Sequence, residues 1–144
     1  MAKINESTEN YLEAILILSR RNPVVRAVDI AEELNFTKPS VSVAMKKLLE
    51  SGDIEISRQN YITLTPKGLS IAHMIYERHL LISNWLITLG VDPAIAREDA
   101  CRIEHVLSPE SFQAIKDHVK ESASDAYEET RQELNSSEEE PAEE

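Results

Sequence analysis

Apolar residues recur along the first third of the chain with a helical period. Tyr11, Leu12 and the run 14–18 wrap most of a circumference, which predicts a largely buried helix. It starts near Asn5 or Ser7, both good caps, and ends near Arg21, where Asn22-Pro23 breaks it. Val28, Ile30, Ala31 and Leu34 give a short second helix over 26–34 one apolar face. After the turn Asn35-Phe36, Thr37 can cap a third helix in which the early Pro39 forfeits no needed N–H. Val41, Met45, Leu48 and Leu49 form its stripe, and Gly52 suits its C-terminal end. The period then falls to two: Ile54-Glu55-Ile56-Ser57 and Tyr61-Ile62-Thr63-Leu64 alternate around Arg58-Gln59-Asn60, which predicts a β-hairpin.

The remainder is helical again. Thr65-Pro66 is a cap followed by a proline at the first helical position, opening a long helix that Gly90 stops after Leu89. Asp92-Pro93 and Ser108-Pro109 repeat the device, predicting helices to about Val106 and from Pro109 to about Lys120. Beyond Ser122 the pattern fades, and from Ser136 (SSEEEPAEE) disorder is expected. The fold class is therefore mostly α with a small β-hairpin. Its units divide at 68/69, with an acidic, disordered tail expected over 122–144.

Charge changes this picture only once its distribution is read. The 144 residues carry a net −11, which argues against a nucleic-acid partner. Residues 1–90, however, hold ten Lys/Arg and ten Asp/Glu, so the whole deficit lies in 91–144, with five against sixteen. The N-terminal module is neutral and free to carry a basic face. A single cysteine excludes an intramolecular disulfide, and no apolar run is long enough to span a membrane. The N-terminus lacks a signal-peptide layout, so a soluble, cytoplasmic protein is expected. With three glycines and no nucleophile elbow, phosphate loop or HExxH, the chain does not read as an enzyme.

Two short helices, a tight turn, then a hairpin is the order of a winged helix-turn-helix. Its third helix would enter the DNA major groove by its N-terminal end. That end holds Thr37, Lys38, Pro39, Ser40 and Ser42; Lys46 and Lys47 add phosphate attraction, and Arg58, Gln59 and Asn60 occupy the wing tip. RNA or protein contacts are the other uses of such a module.

On the helix from Asp92, Cys101, Glu104 and His105 stand at i, i+3 and i+4 and share a face beside the apolar stripe of Ala96, Ala100, Ile103 and Leu107. Thiolate, carboxylate and imidazole together suit a borderline divalent cation such as Fe²⁺, Co²⁺ or Zn²⁺. Spacing alone leaves a second reading open, in which Cys101 is small buried filler, a lone histidine such as His79 is a hydrogen-bonded core residue and Glu13 is a solvated surface acid. Further donors are available in Asn10 and Glu13, three apart on the first helix, and in His79 among Ile75, Ile82 and Leu86.

TENYLEAI, VDIAEELNFTKPSVSVAMKKLLESG, ITLTPKG, RHLL and EDACRIEHVLS, spread over about 5–120, resemble the diphtheria-toxin-repressor/manganese-transport-regulator family of metal-dependent repressors. The resemblance implies a winged helix-turn-helix over 1–68 and a helical dimerisation and metal-binding domain over 69–121, in the short form without an SH3-like domain. It implies a homodimer that binds a palindromic operator in double-stranded DNA when metal is loaded, and represses genes of metal homeostasis. The ligand set carried over by position is Asn10, Glu13, His79, Cys101, Glu104 and His105. The manganese-selective branch has carboxylates where this chain has Asn10 and Cys101; the iron-responsive branch has cysteine at 101 and methionine at 10. An ancillary site would need an acid at 83 and a histidine at 97, where Ser83 and Arg97 stand. Soft Cys101 favours Fe²⁺, with Mn²⁺ the alternative and Co²⁺ or Zn²⁺ as substitutes. A winged-helix regulator that senses a small organic ligand or thiol oxidation is the rival function.

Overall fold

The computed structural model describes residues 6–135, in two compact units, 1–74 and 75–144. The first contains α1 (Glu6–Arg21), α2 (Ala27–Leu34), α3 (Lys38–Ser51), β1 (Ile54–Ile56) and β2 (Ile62–Leu64). The unit boundary falls inside α4 (Pro66–Thr88). The second unit continues with α5 (Pro93–Ile103), α6 (Pro109–Ser122) and α7 (Ser124–Asn135).

In the first unit α1 buries Tyr11, Leu12, Ala14, Ile15, Leu16 and Leu18, as its wide apolar band requires. Ile30 of α2, Val41, Met45 and Leu48 of α3, and Ile54 and Ile62 of the hairpin complete the core. At interior sites of this kind, truncating Leu or Ile to Ala costs about 2–5 kcal/mol. The helix-turn-helix bend is made by Asn35 in the left-handed region (φ 56°), with the Phe36 N–H donating to Ala31 O. The strands pair antiparallel as Ile54↔Leu64, Glu55↔Thr63 and Ile56↔Ile62, and Asn60 takes the positive-φ position of the turn.

The start of α4 is locked to the end of α3. Asp53 O accepts from the Thr65 N–H, and a Cβ on Gly68 would come within 2.0 Å of that carbonyl oxygen. Only glycine fits there. The Asp53 carboxylate is buried, takes a 2.6 Å bond from the Ser51 hydroxyl and pairs with Lys67 at 3.5 Å.

In the second unit Leu81, Phe112, Val119 and Ala126 form the centre of the core, with Trp85, Leu107, Ile115, Ala123 and Tyr127 packed around them. The structure departs from the sequence reading in both units. Residues 124–135, assigned above to a disordered tail, form α7, which buries Ala126, Thr130 and Leu134. Its pattern is weak because two of the three buried positions are small or polar; Thr130 satisfies its hydroxyl on Ala126 O and accepts from the Asn84 amide. Helix α5 stops at Ile103, not at about Val106, so His105 lies beyond the helix and Glu104 is its terminal cap residue. In the first unit Val28 and Leu49, placed on the inner faces of α2 and α3, are exposed, each lying at the edge of its stripe. The stretch 136–144 lies outside the described residues.

Candidate DNA surface and metal centre

The DNA-reading candidates were chosen from helix position and hairpin register, and all of them are exposed: Thr37, Lys38, Pro39, Ser40, Ser42, Lys46, Lys47, Arg58, Gln59 and Asn60. Their roles differ in detail. Thr37 is the N-cap of α3: its Oγ1 accepts from the Ser40 N–H at 3.3 Å and lies 2.7 Å from the Ser40 hydroxyl. Its first duty is thus to the helix. Ser42 and Lys46 of α3 face Asn60 of the wing across a groove of about 540 Å³, and Arg26, just before α2, lines the same groove. Arg26 was missed by the sequence reading. Its guanidinium lies over the Tyr61 ring at 5.1 Å and reaches the phenol oxygen at 3.3 Å. The available signal was a cation at the N-terminal edge of α2, beside a hydrogen-bonding Asp29 that accepts from the Arg26 N–H.

In the second unit α4 and the end of α5 bring three predicted ligands together. His79 Nδ1 lies 3.0 Å from Glu104 Oε2 and 3.7 Å from Cys101 Sγ, and one donor atom from each of the three falls within 4.8 Å of the others. Glu104 is wholly buried, whereas Cys101 is exposed and His79 half-buried. The second Glu104 oxygen is 3.3 Å from His105 Nε2, and the His105 ring is itself almost fully enclosed. One carboxylate therefore sits between two imidazoles. A buried carboxylate requires positive charge or several donors around it. Imidazolium can supply that charge, and so can a divalent ion held by the imidazole nitrogens, the thiolate and the carboxylate, so the donor set fits such an ion.

Asn10 and Glu13 belong to the first unit, three residues apart on α1; Glu13 is buried and Asn10 half-buried. Ser83 and Arg97 are a buried hydroxyl and an exposed cation.

Arg78, the neighbour of His79, was also missed. It is buried; its Nη1 donates to the main-chain oxygens of Glu104 (3.1 Å) and Leu107 (2.7 Å), and its guanidinium lies 5.2 Å from the Phe112 ring centre. The sequence signal was a long cation between the apolar residues Ile75-Tyr76 and Leu80-Leu81-Ile82, where burial demands a partner.

Comparison with known proteins assigns both units to one family. Residues 3–60 match the model for the iron-dependent repressor N-terminal DNA-binding domain, and residues 65–132 match that for the iron-dependent repressor metal-binding and dimerisation domain. The second match runs into α7. The transcriptional regulator MntR of Escherichia coli O6:H1 is 37% identical over 111 residues, covering 77% of this chain and 72% of that protein. The HTH-type transcriptional regulator MntR of Listeria monocytogenes is 35% identical, covering 78% of this chain and 80% of that protein. Among solved structures, the manganese regulator SloR superposes with a TM-score of 0.70 at 30% identity. The match covers 83% of this chain, which spans about half (55%) of that longer protein. No helix among the described residues is long and apolar enough to cross a membrane. The chain belongs to the diphtheria-toxin-repressor/manganese-transport-regulator family: it is a metal-dependent, DNA-binding transcriptional repressor and not an enzyme.

Proposed function

We propose that this repressor responds to Fe²⁺ through a centre built on His79, Cys101, Glu104 and His105, completed by Asn10 and Glu13, and that the loaded homodimer binds a palindromic operator to control metal homeostasis. The observation that carries the reading is the buried Glu104 carboxylate at 3.0 Å from His79 Nδ1 with the Cys101 thiol beside it. A bound divalent ion supplies the positive charge that this enclosed carboxylate needs. The protein's own residues do the selecting. Cys101 offers a soft thiolate, which ranks Fe²⁺ above Mn²⁺, and the imidazoles suit either Fe²⁺ or the substitutes Co²⁺ and Zn²⁺. A second assignment, Mn²⁺, is favoured by the similarity to SloR, named as a manganese regulator, and by Asn10, a hard oxygen donor.

On the DNA side, Ser40, Ser42 and Lys38 are proposed to meet base edges or phosphates. Lys46, Lys47, Arg58, Gln59 and Asn60 would hold the backbone on either side of the groove, with Arg26 joining them. The test is anaerobic. Chelator-stripped protein is titrated with Fe²⁺ or Mn²⁺ while binding to palindromic duplexes, selected in vitro by metal-loaded protein, is followed by fluorescence anisotropy. Activation by Fe²⁺ at lower free concentration than Mn²⁺ is expected; activation by Mn²⁺ alone rejects the iron assignment. DNA affinity indifferent to every divalent ion rejects the centre altogether.

A further inference from the structure

The geometry points to Arg78 as a positioning residue of the metal centre, one that fixes the non-helical stretch carrying Glu104 and His105 so that an ion meets a preformed ligand set; this rests on the metal reading proposed above. Because α5 ends at Ile103, its last carbonyls find partners beyond it: Ala100 O accepts from the Glu104 N–H and Ile103 O from the Val106 N–H of the turn that follows. That turn spans 103–106, but within 104–107 the carbonyls of Glu104 and Leu107 accept from no main-chain N–H among the described residues before Ser108 caps α6. Arg78 takes both. Its Nη1 bonds the carbonyls at both ends of that stretch, Glu104 at 3.1 Å and Leu107 at 2.7 Å. The adjacent residue on α4, His79, meets the Glu104 carboxylate. Glu104 is thus gripped at its main chain and at its side chain from a single turn of one helix.

Stability alone does not account for this guanidinium. Among the described residues it pairs with no carboxylate, and its Nε is buried without an acceptor, an arrangement that costs free energy where an apolar residue of similar size would not. The Phe112 ring beneath it, at 5.2 Å, steers the fork without neutralising it. What the fork accomplishes is geometric. The carbonyls of Glu104 and Leu107, three residues apart, are bridged by one guanidinium nitrogen whose two hydrogens are fixed in the plane of the group, a geometry that the freely rotating ammonium of a lysine does not impose.

Co²⁺, whose visible bands report ligand geometry, is the probe. Wild type, Arg78→Lys, Phe112→Leu and Glu104→Gln are each stripped with chelator, followed for thermal unfolding as apo-proteins, then titrated with Co²⁺. Arg78→Lys is expected to bind about 10–100-fold more weakly, the range seen when an outer partner of a ligand is lost, with altered band intensities. Phe112→Leu should shift affinity in the same direction by less. A role in folding alone would move the apo unfolding midpoint and leave the Co²⁺ spectrum as in wild type, and that result overturns the inference. So does Arg78→Lys binding with wild-type affinity and spectrum. If Arg78→Lys fails to fold, Phe112→Leu decides: unchanged affinity and spectrum overturn the inference. Wild type that takes up no Co²⁺ defeats the metal reading itself. Wild type that binds through Glu104, with Arg78→Lys unaffected, defeats the Arg78 inference only.

Discussion

The N-terminus of α3 and the C-terminus of α5 are both helix ends with main-chain groups left over, and both carry side chains proposed above to meet this repressor's partners. At α3 the leftover N–H groups are served from within the same few residues: Thr37 caps, Ser40 answers, and Pro39 removes one donor. The chemically active side chains there stay exposed. At α5 the carbonyls of the cap residue Glu104 and of Leu107 beyond it are served by Arg78, 26 and 29 residues away in sequence, and the Glu104 carboxylate is buried. A reading end must present itself to a large, hydrated partner, so local satisfaction suffices. A centre that holds a small ion gains from exclusion of water and from supports on a second helix.

The sharpest way to break this contrast is Glu104→Gln. The amide keeps the volume of the buried group and removes its charge. Metal affinity should fall by more than the ~10–100-fold that loss of an outer partner brings. Metal-activated DNA binding should be lost with it, while the chelator-treated protein still unfolds cooperatively. Calorimetric titration with Mn²⁺ or Co²⁺ reads the affinity. Wild-type uptake by the variant would mean that the enclosed carboxylate is a structural polar group, and the two helix ends would no longer differ in kind.

Thr37→Ala comes next in size and probes the other end. Removing a capping hydroxyl costs about 1 kcal/mol, which for a unit of this size lowers the midpoint of thermal unfolding by about 4–8 °C. Thr37→Asn should recover most of it, since asparagine caps equally well. If Thr37→Ala instead leaves stability unchanged and weakens DNA binding, Thr37 reads DNA directly and the capping role assigned to it is secondary.

The same contrast explains what could be read in the chain beforehand. Every α3 feature depends on neighbours within one turn, so Thr37, Pro39, the stripe of Val41, Met45 and Leu48, and Gly52 announced the helix and its ends. The hairpin was equally legible, because its period and its turn are local. Leu49 misled because a stripe drawn by spacing takes in a residue at its edge, and burial there depends on what the stripe packs against. At α5 the spacing of Cys101, Glu104 and His105 singled out a cluster of donor side chains but not the helix end at Ile103, beyond which the distant Arg78 bonds the Glu104 carbonyl. Helix α7 escaped for a related reason: Ala126, Thr130 and Leu134 do not look like a core face until Asn84 and the apolar cluster around Val119 are beside them.

Lys46→Ala carries the smallest expected effect and tests the exposed end most directly. Lys46 lines the groove between α3 and the wing and makes no hydrogen bond or ion pair among the described residues, so its removal should leave unfolding unaltered. A lysine that meets a phosphate contributes one released counterion, so the slope of log affinity against log salt should become shallower by about 0.9. The loss should be similar for operator and unrelated duplexes, because phosphates carry no sequence. Anisotropy titrations with metal-loaded protein across a salt series separate the outcomes. An unchanged slope removes Lys46 from the DNA surface. A loss confined to the operator makes it a base-reading residue, and the division of labour between the hydroxyls of α3 and its lysines would have to be redrawn.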